Sequence, residues 1–308
     1  MGDTKQVPTA LLALEGAIAS SGAVIVSNPF EVMKTRLQLQ GEMQRRGDYT
    51  KQYKGMLRGM VAIARAEGLL ALQKGFVGAI GHQVSQNGVR LGLYPSIKSA
   101  MEKQVGLQPG LMCNVAAGAV SGTCGAIACN PFYLVKTRLQ AQNSAQGPAV
   151  GYQHHYTGVW DGIRSILKAE GVRGLYQGLT INCLRTTVGS AAQLASYDGA
   201  KARVSQQTGW SDADWRVHFA AGAVAAFCIT VFMNPFDVVL TRSFNNSGDK
   251  KMSASIPVTM YRLARVEGVE GFYKGAFALW ARTTPHSIVT FVLLEQIRCV
   301  RNSYLYTG

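Results

Sequence analysis

Charged residues are absent from two long apolar stretches of this 308-residue chain. Residues 111–135 and 217–236 contain no Asp, Glu, Lys or Arg. About 20 apolar residues in a helix are enough to cross a hydrocarbon layer of roughly 30 Å. The pattern therefore predicts membrane-spanning helices.

An Asn-Pro-Phe triplet closes three apolar runs that are rich in small residues, and a basic cluster follows each triplet. The prolines are Pro29, Pro131 and Pro235. They lie about one hundred residues apart, a period that is too long for a solenoid repeat and suits a unit of two long helices. Each proline is expected to bend its helix. A glycine thirteen residues earlier opens a small-xxx-small step, which predicts close helix packing at Gly16, Gly118 and Gly222.

A Glu-Gly pair recurs in the second half of each unit, and a further glycine follows it. The pairs begin at Glu67, Glu170 and Glu267, and a second long helix is predicted to start after Gly75, Gly178 and Gly275. The Glu-Gly pairs are interpreted as turns. The predicted fold is an all-α membrane protein of six spanning helices in three tandem repeats, 1–105, 106–208 and 209–308. Because the number of helices is even, both termini lie on the same side.

The charge balance of the chain points to anionic partners. Only 16% of the residues are charged, against about 25% in ordinary soluble domains, and the formal net charge is +14. The basic residues are spread over all three repeats without a stripe of interleaved aromatics, which argues against nucleic acid as a partner. An anionic lipid surface and an anionic substrate fit better.

Enzyme, cofactor and metal signals are not found in the sequence. The six cysteines form no Cys-x-x-Cys pair, so they are interpreted as small buried apolar residues. No Gly-rich phosphate loop, metal cluster or nucleophile–base pair stands where it could act. The protein is therefore not expected to be an enzyme or to hold a cofactor or a metal.

The three motifs resemble those of the mitochondrial carrier family over essentially the whole chain. The family pattern is Pro-x-acid-x-x-base-x-base, a loop, acid-Gly, and then aromatic-base-Gly, and its presence in three copies in register is specific. The resemblance implies a pseudosymmetric six-helix bundle in the mitochondrial inner membrane, with short helices on the matrix side. It further implies a monomer that contacts cardiolipin and gives alternating access to one central site, with both termini facing the intermembrane space. Segments 37–43, 134–140 and 156–160, together with Pro285-His286, are similar to members that carry oxaloacetate.

Carried onto this chain, the family's ion pairs form a gate at each end of the bundle. On the matrix side, Glu31 is expected to pair with Lys136, and Asp237 with Lys34. The third pair is missing, because Tyr133 and Leu240 replace its acid and its base together. A single remaining charge would be costly to bury. Glutamines are expected to brace the two pairs, with Phe244 at the third brace position: Gln38 and Gln140.

At the cytoplasmic gate, Lys98 is expected to pair with Asp198, and Lys201 with Glu295. The third pair is again missing there, because Arg298 faces Pro95. The alternative interpretation of both gates is that these residues are ordinary charged helix ends.

Arginines in mid-membrane mark the candidate central site, because a charge is costly there. Arg185 and Arg282 lie thirteen residues before the gate acids of their helices, and the same offset in the first repeat gives His82. Arg90 lies about two helical turns from this level. Guanidinium groups bind carboxylate or sulfate through two hydrogen bonds, so three arginines suit a small dianion. Neutral partners for a keto or hydroxyl oxygen are Gln83, Asn87 and Thr186. The alternative is that an arginine, Arg90 first, pairs within the bundle.

His82 raises the question of proton coupling, because imidazole titrates near pH 6.5. One hypothesis is that protonated His82 adds a positive charge and couples proton uptake to anion uptake. A neutral, hydrogen-bonded histidine is the alternative, and His286 is a weaker candidate for the same role.

The expected function is transport of small dicarboxylates or keto acids, oxaloacetate foremost, with sulfate and malonate as further candidates. Exchange and proton symport both stay open. The alternatives are another dicarboxylate or keto-acid exchanger, an uncoupling-type proton-leak protein, and a membrane scaffold that has lost transport.

Overall fold

The computed structural model describes residues 9–42, 44, 51–104, 106, 108, 110–143, 149–211, 215–246 and 256–306. In chain order its helices are α1 (Thr9–Leu39), α2 (Met56–Glu67), α3 (Phe76–Gln104), α4 (Leu111–Ala141), α5 (Val159–Leu175), α6 (Leu179–Thr208), α7 (Trp215–Asn245), α8 (Ile256–Glu267), α9 (Val269–Phe272) and α10 (Ala276–Tyr306), and a 3-10 turn covers Leu69–Gln73. The predicted all-α fold is confirmed: each repeat contributes two long helices with short helices between them.

The six long helices form a closed ring in the order α1, α3, α4, α6, α7, α10, and α10 packs against α1. The first helices of the three repeats, α1, α4 and α7, also contact one another. Their motif residues are buried, among them Val32, Leu134 and Val238. The bundle is therefore closed at the end that carries the short helices, which we call the short-helix end.

Two of the long helices are apolar and long enough to cross a membrane by length and composition: residues Met112–Ala141 and Phe219–Asn245. They contain the two uncharged stretches of the sequence. The four other long helices are α1, α3, α6 and α10, and they carry many of the charged and amide side chains described below.

The asparagine of each Asn-Pro-Phe motif ties the two halves of its repeat together. Its side-chain amide donates to a main-chain carbonyl just before the second long helix, from Asn28 to Leu72 at 3.3 Å, Asn130 to Leu175 at 2.9 Å and Asn234 to Phe272 at 2.6 Å. The prolines lie inside α1, α4 and α7, which continue beyond them.

The recurring glycines are required by the backbone. Each Glu-Gly glycine has a positive φ, which ends α2 at Gly68 (86°), kinks α5 at Gly171 (67°) and ends α8 at Gly268 (72°). The glycines before the second long helices also have positive φ and lie against the next repeat. A Cβ at Gly75 would lie 3.0 Å from the Lys136 carbonyl oxygen, and one at Gly275 would lie 3.2 Å from that of Lys34.

Close packing at the small-xxx-small steps holds in two repeats. A Cβ on Gly16 would come within 2.8 Å of Leu91, and one on Gly122 within 3.0 Å of Thr186. The third step differs from the expectation, because a Cβ on Gly222 would meet nothing within 4 Å.

Candidate functional site

Two buried ion pairs join the first helices of the repeats at the short-helix end. Lys136 lies 2.7 Å from Glu31, and Lys34 lies 2.7 Å from Asp237. All four side chains are at most 8% exposed. The structure thus brings together both pairs that the family resemblance implies, one between α1 and α4 and the other between α7 and α1.

The two glutamines differ in what they contact. The Gln38 amide donates to Asp237 at 2.8 Å and accepts from Thr241 at 2.7 Å, so it braces its pair. Gln140 accepts from Thr35 and donates to Asn28, both at 3.1 Å, rather than bracing the Lys136–Glu31 pair.

Tyr133 fills the corner where the third pair is missing. Its ring packs against His82 at 4.6 Å and against Phe244 at 5.1 Å, and its hydroxyl donates to Asp237 at 3.4 Å. Lys136 lies 4.7 Å from the ring centroid, within reach of a cation–π interaction. Leu240 is fully buried beside this cluster.

Two of the three predicted site arginines, Arg185 and Arg282, reach the gate carboxylates. Arg185 Nε donates to Asp237 at 2.6 Å, and a terminal nitrogen of Arg282 lies 3.6 Å from Glu31. Arg282 is 19% exposed, and its buried Nε has no hydrogen-bond partner among the described residues. The central site and the gate are therefore one continuous charged cluster.

The neutral candidates are mostly engaged already. The Asn87 amide donates to Ser20 at 3.0 Å, and the Thr186 hydroxyl donates to the Asn182 carbonyl in its own helix at 2.8 Å. In this arrangement the Thr186 hydroxyl can accept a hydrogen bond from a ligand hydroxyl but does not donate one to a keto oxygen. Gln83 contacts His286 at 2.8 Å, and the other ring nitrogen of His286 contacts Ser27 at 3.0 Å.

His82 and Arg90 have polar groups that the described residues leave free to bind a ligand. The Nε2 atom of His82 is buried without a hydrogen-bond partner in the described part of the chain. Arg90 lies on α3 where α4 approaches, since a Cβ on Gly125 would come within 3.5 Å of it. No ion pair of Arg90 is found among the described side chains, so the alternative in which it pairs within the bundle finds no support.

Of the two pairs predicted at the opposite end, Lys201–Glu295 is the one whose side chains are both described. Lys98 lies 4.0 Å from Glu102, one turn along its own helix. No ion pair joins Lys201 to Glu295 in the described residues, and the side chain of Asp198 lies outside them. The missing contact between Lys201 and Glu295 among the described residues is consistent with a bundle that is closed at the short-helix end.

The sequence interpretation missed a second layer of ion pairs at the short-helix end. Arg36 is bonded to Glu67, which also lies 2.7 Å from Lys74, and Arg242 and Lys274 each lie 2.6 Å from Glu267. In the first and third repeats, the acid of the Glu-Gly turn therefore holds the last motif base of its own repeat. The signal was present, because Arg and Glu recur in register in all three copies.

The middle repeat departs from this arrangement. Gln177 replaces the lysine, and Arg138 bonds to Tyr156 at 3.0 Å and to Gln177 at 3.1 Å. Glu170 is 42% exposed and lies 3.7 Å from Arg138.

The second layer of ion pairs changes the pKa values of acids that lie outside the spanning helices. Burial opposes ionisation of Glu67, but hydrogen bonds from Arg36 and Lys74 outweigh it and lower its pKa to about 2. No hydrogen bond to Glu42 is found from the described residues. Burial raises its pKa to about 7, with Glu267 adding to the effect and Arg242 and Lys274 opposing it.

The three repeats also match known proteins in sequence. A family model described as mitochondrial carrier protein matches residues 5–105, 108–208 and 211–304. The chain is 39% identical over 286 residues to the mitochondrial citrate transporter E of Aspergillus niger, covering 92% of this chain and 91% of that protein. It is 38% identical over 288 residues to the mitochondrial oxaloacetate transport protein of Saccharomyces cerevisiae, covering 91% and 86%. It is also 31% identical over 284 residues to the mitochondrial brown fat uncoupling protein 1 of Canis lupus familiaris, covering 91% and 90%.

Proposed function

Because this chain belongs to the mitochondrial carrier family, and is thus a multi-pass transporter of the mitochondrial inner membrane, we propose that its central site carries small dianions by alternating access. Oxaloacetate is the first candidate, and sulfate and malonate follow. The names of two relatives, an oxaloacetate and a citrate transporter, support a carboxylate substrate.

The observation that carries the proposal is the charge of the cluster at the base of the site. Four cations, Lys34, Lys136, Arg185 and Arg282, share two carboxylates, those of Glu31 and Asp237. An excess of two positive charges remains, and a dianion balances it. Charged groups within a membrane protein need such a partner, so the cluster favours a doubly negative ligand.

Arg282 is the best-placed first contact for a carboxylate. It is the more exposed of the two arginines, its contact with Glu31 is long, and its Nε is buried without a partner among the described residues. A guanidinium group with a free edge can bind a carboxylate through two parallel hydrogen bonds. Arg90, about two helical turns away along α3, can reach a second carboxylate.

Proton coupling through His82 is also part of the proposal. Its Nε2 atom, which has no partner among the described residues, is available for a proton, and a bound dianion would supply the negative charge that an imidazolium needs. Uptake by the variant His82→Gln is measured with and without a pH gradient. If the variant keeps the parent's dependence on the gradient, His82 does not carry the proton.

Reconstitution in proteoliposomes tests the substrate directly. Labelled oxaloacetate, malonate, malate, citrate and sulfate are offered with each possible counter-anion and with or without a pH gradient. We expect exchange of dianions that Arg282→Ala abolishes. Fatty-acid-dependent proton conductance without anion uptake would instead favour the uncoupling alternative, which has support from the 31% identical uncoupling protein. Unaltered flux in Arg282→Ala would contradict the assigned site.

The gate roles of the ion pairs, cardiolipin contact and a monomeric state are proposals too. They rest on the family and on the placement of the gate residues.

A further inference from the structure

One corner of the ion-pair ring at the short-helix end has lost both of its charges. The ring needs a cation and an acid between α4 and α7, but Tyr133 and Leu240 stand there, and both are buried. The two remaining pairs lie between α1 and α4 and between α7 and α1. By the motif alone, the α4–α7 side would be held by apolar packing without an ion pair.

Arg185 reaches this corner from α6, a helix that supplies none of the residues of the ion-pair ring. Its Nε lies 2.6 Å from Asp237 Oδ1, and its guanidinium carbon lies 5.5 Å from the centre of the Tyr133 ring. The Tyr133 hydroxyl donates to the same carboxylate oxygen at 3.4 Å. Arg185 thus contacts α7 and α4 together, which are the two helices that the missing pair would have joined.

The residues at the two symmetric positions do not do the same. Arg282 comes no closer than 3.6 Å to Glu31 and keeps its Nε unpartnered among the described residues. His82 meets the cluster only through its ring, 4.6 Å from that of Tyr133. Of the three positions, the one beside the uncharged corner has a cation at hydrogen-bond distance from a gate acid.

We propose that Arg185 is the third cation of the matrix gate and holds α4 and α7 together in place of the missing ion pair. Asp237 then receives two cations, with Lys34 and Gln38 on one oxygen and Arg185 and Tyr133 on the other. Arg185 is a positioning residue of the gate, in addition to facing the central site.

This assignment gives substrate binding a direct route to gate opening, a consequence that rests on the proposed function. An anion that attracts Arg185 competes with Asp237 for the same guanidinium group. The ion pair that closes the α4–α7 corner is then weakened only when the site is occupied. A ligand shifts a conformational equilibrium through such differential contacts.

Rebuilding the missing pair provides the test. The variant Tyr133→Asp/Leu240→Lys restores an acid and a base at the uncharged corner and is made alone and together with Arg185→Gln. Arg282→Gln, with and without the rebuilt pair, is the matched control. Arg185→Lys, which keeps the charge but loses the fork, replaces Arg185→Gln if the latter does not fold.

Unfolding temperature of the purified full chain is measured without any anion, so this arm is independent of the substrate. We expect Arg185→Gln to lower it by at least about 3 °C and the rebuilt pair to restore most of that loss. The rebuilt pair should not rescue Arg282→Gln, since that position faces another corner. The coupling between Arg185 and the rebuilt corner, which contact each other, is measured by this double-mutant cycle.

Anion exchange in proteoliposomes is the second measurement. The rebuilt pair in the parent background should slow exchange by about tenfold, because a closed state that is too stable depopulates the other state. Equal loss of unfolding temperature by Arg185→Gln with and without the rebuilt pair would overturn the proposal. So would equal rescue of Arg282→Gln, which would show a general gain from an added ion pair. If the parent exchanges no dianion at all, the proposed function fails, while the unfolding measurements still decide the role of Arg185.

Discussion

The Nε atom of Arg138 donates a hydrogen bond of 2.8 Å to the main-chain carbonyl oxygen of Phe244. The same contact recurs around the bundle, from Arg36 to Gln140 at 3.2 Å and from Arg242 to Gln38 at 3.1 Å. Each arginine thus satisfies a carbonyl near the carboxyl end of the next repeat's first helix, where the intrahelical partners run out. The three contacts form a closed ring that joins α1, α4 and α7.

Replacing Arg138 by Gln should destabilise the protein by about 2–4 kcal/mol, because it removes a buried charge-assisted hydrogen bond and the contacts to Tyr156 and Gln177. Thermal unfolding of the purified protein measures the effect. The control is Arg173→Gln on the exposed part of α5, which should stay within about 0.5 kcal/mol of the parent. An equal effect of the two changes would show that the ring contributes nothing.

This ring shows what the motif could and could not reveal. The repeats of the sequence predict six helices, and the family resemblance implies both ion pairs of the matrix gate. The sequence does not reveal the contacts of arginines with main-chain carbonyls, which do not depend on the residue that supplies the carbonyl. The ring therefore survives at Phe244, where the glutamine of the other repeats is replaced. The role of Asn28 was hidden for the same reason, since its acceptor is the Leu72 carbonyl.

Exchanging the partners of the two gate pairs should have unequal outcomes. Single changes break a buried pair, at a cost of about 3–5 kcal/mol, and should reduce anion exchange strongly. We expect Glu31→Lys/Lys136→Glu to recover more exchange than Asp237→Lys/Lys34→Asp. The reason is that Arg185 lies 2.6 Å from Asp237 and would face a lysine, whereas Arg282 lies 3.6 Å from Glu31.

Exchange rates in proteoliposomes containing equal amounts of folded protein check this order. The recovery of each swap is expressed relative to its own single changes. Equal recovery at the two pairs would mean that Arg185 does not distinguish the Asp237 pair.

Arg90 should discriminate between ligands by their number of carboxylates. The cluster of Arg185 and Arg282 balances two negative charges, and Arg90 is the next cation along α3, without an ion pair among the described residues. Replacing Arg90 by Gln should weaken inhibition by citrate about tenfold or more, since a hydrogen bond to a charged group contributes roughly 1.5–3 kcal/mol. Inhibition by malonate should change much less.

The measurement is the inhibition of labelled dicarboxylate uptake by each anion. Arg90→Lys serves as the control that retains the charge. Parallel weakening for citrate and malonate would contradict a separate role for Arg90.

The central site was less predictable than the gate. Counting residues along the helices places His82, Arg185 and Arg282 at one level, and the structure brings them to one cluster around Tyr133 and the gate acids. Counting cannot tell which arginine is held by a carboxylate, because this depends on packing between helices that are far apart in the sequence. It also cannot reveal that the Thr186 hydroxyl is used by its own helix.

Glu42 should make stability depend on pH near neutrality. Its pKa is raised by burial to about 7, from an ordinary value of 4.5. Between these two pH values the folded protein binds more protons than the unfolded chain, so stability falls as the pH rises through this range. Glu42→Gln should therefore unfold like the parent at pH 4 and be more stable by about 1–3 kcal/mol at pH 8. Unfolding temperatures across this range test the prediction, and a constant difference between variant and parent at all pH values would show that Glu42 does not titrate there.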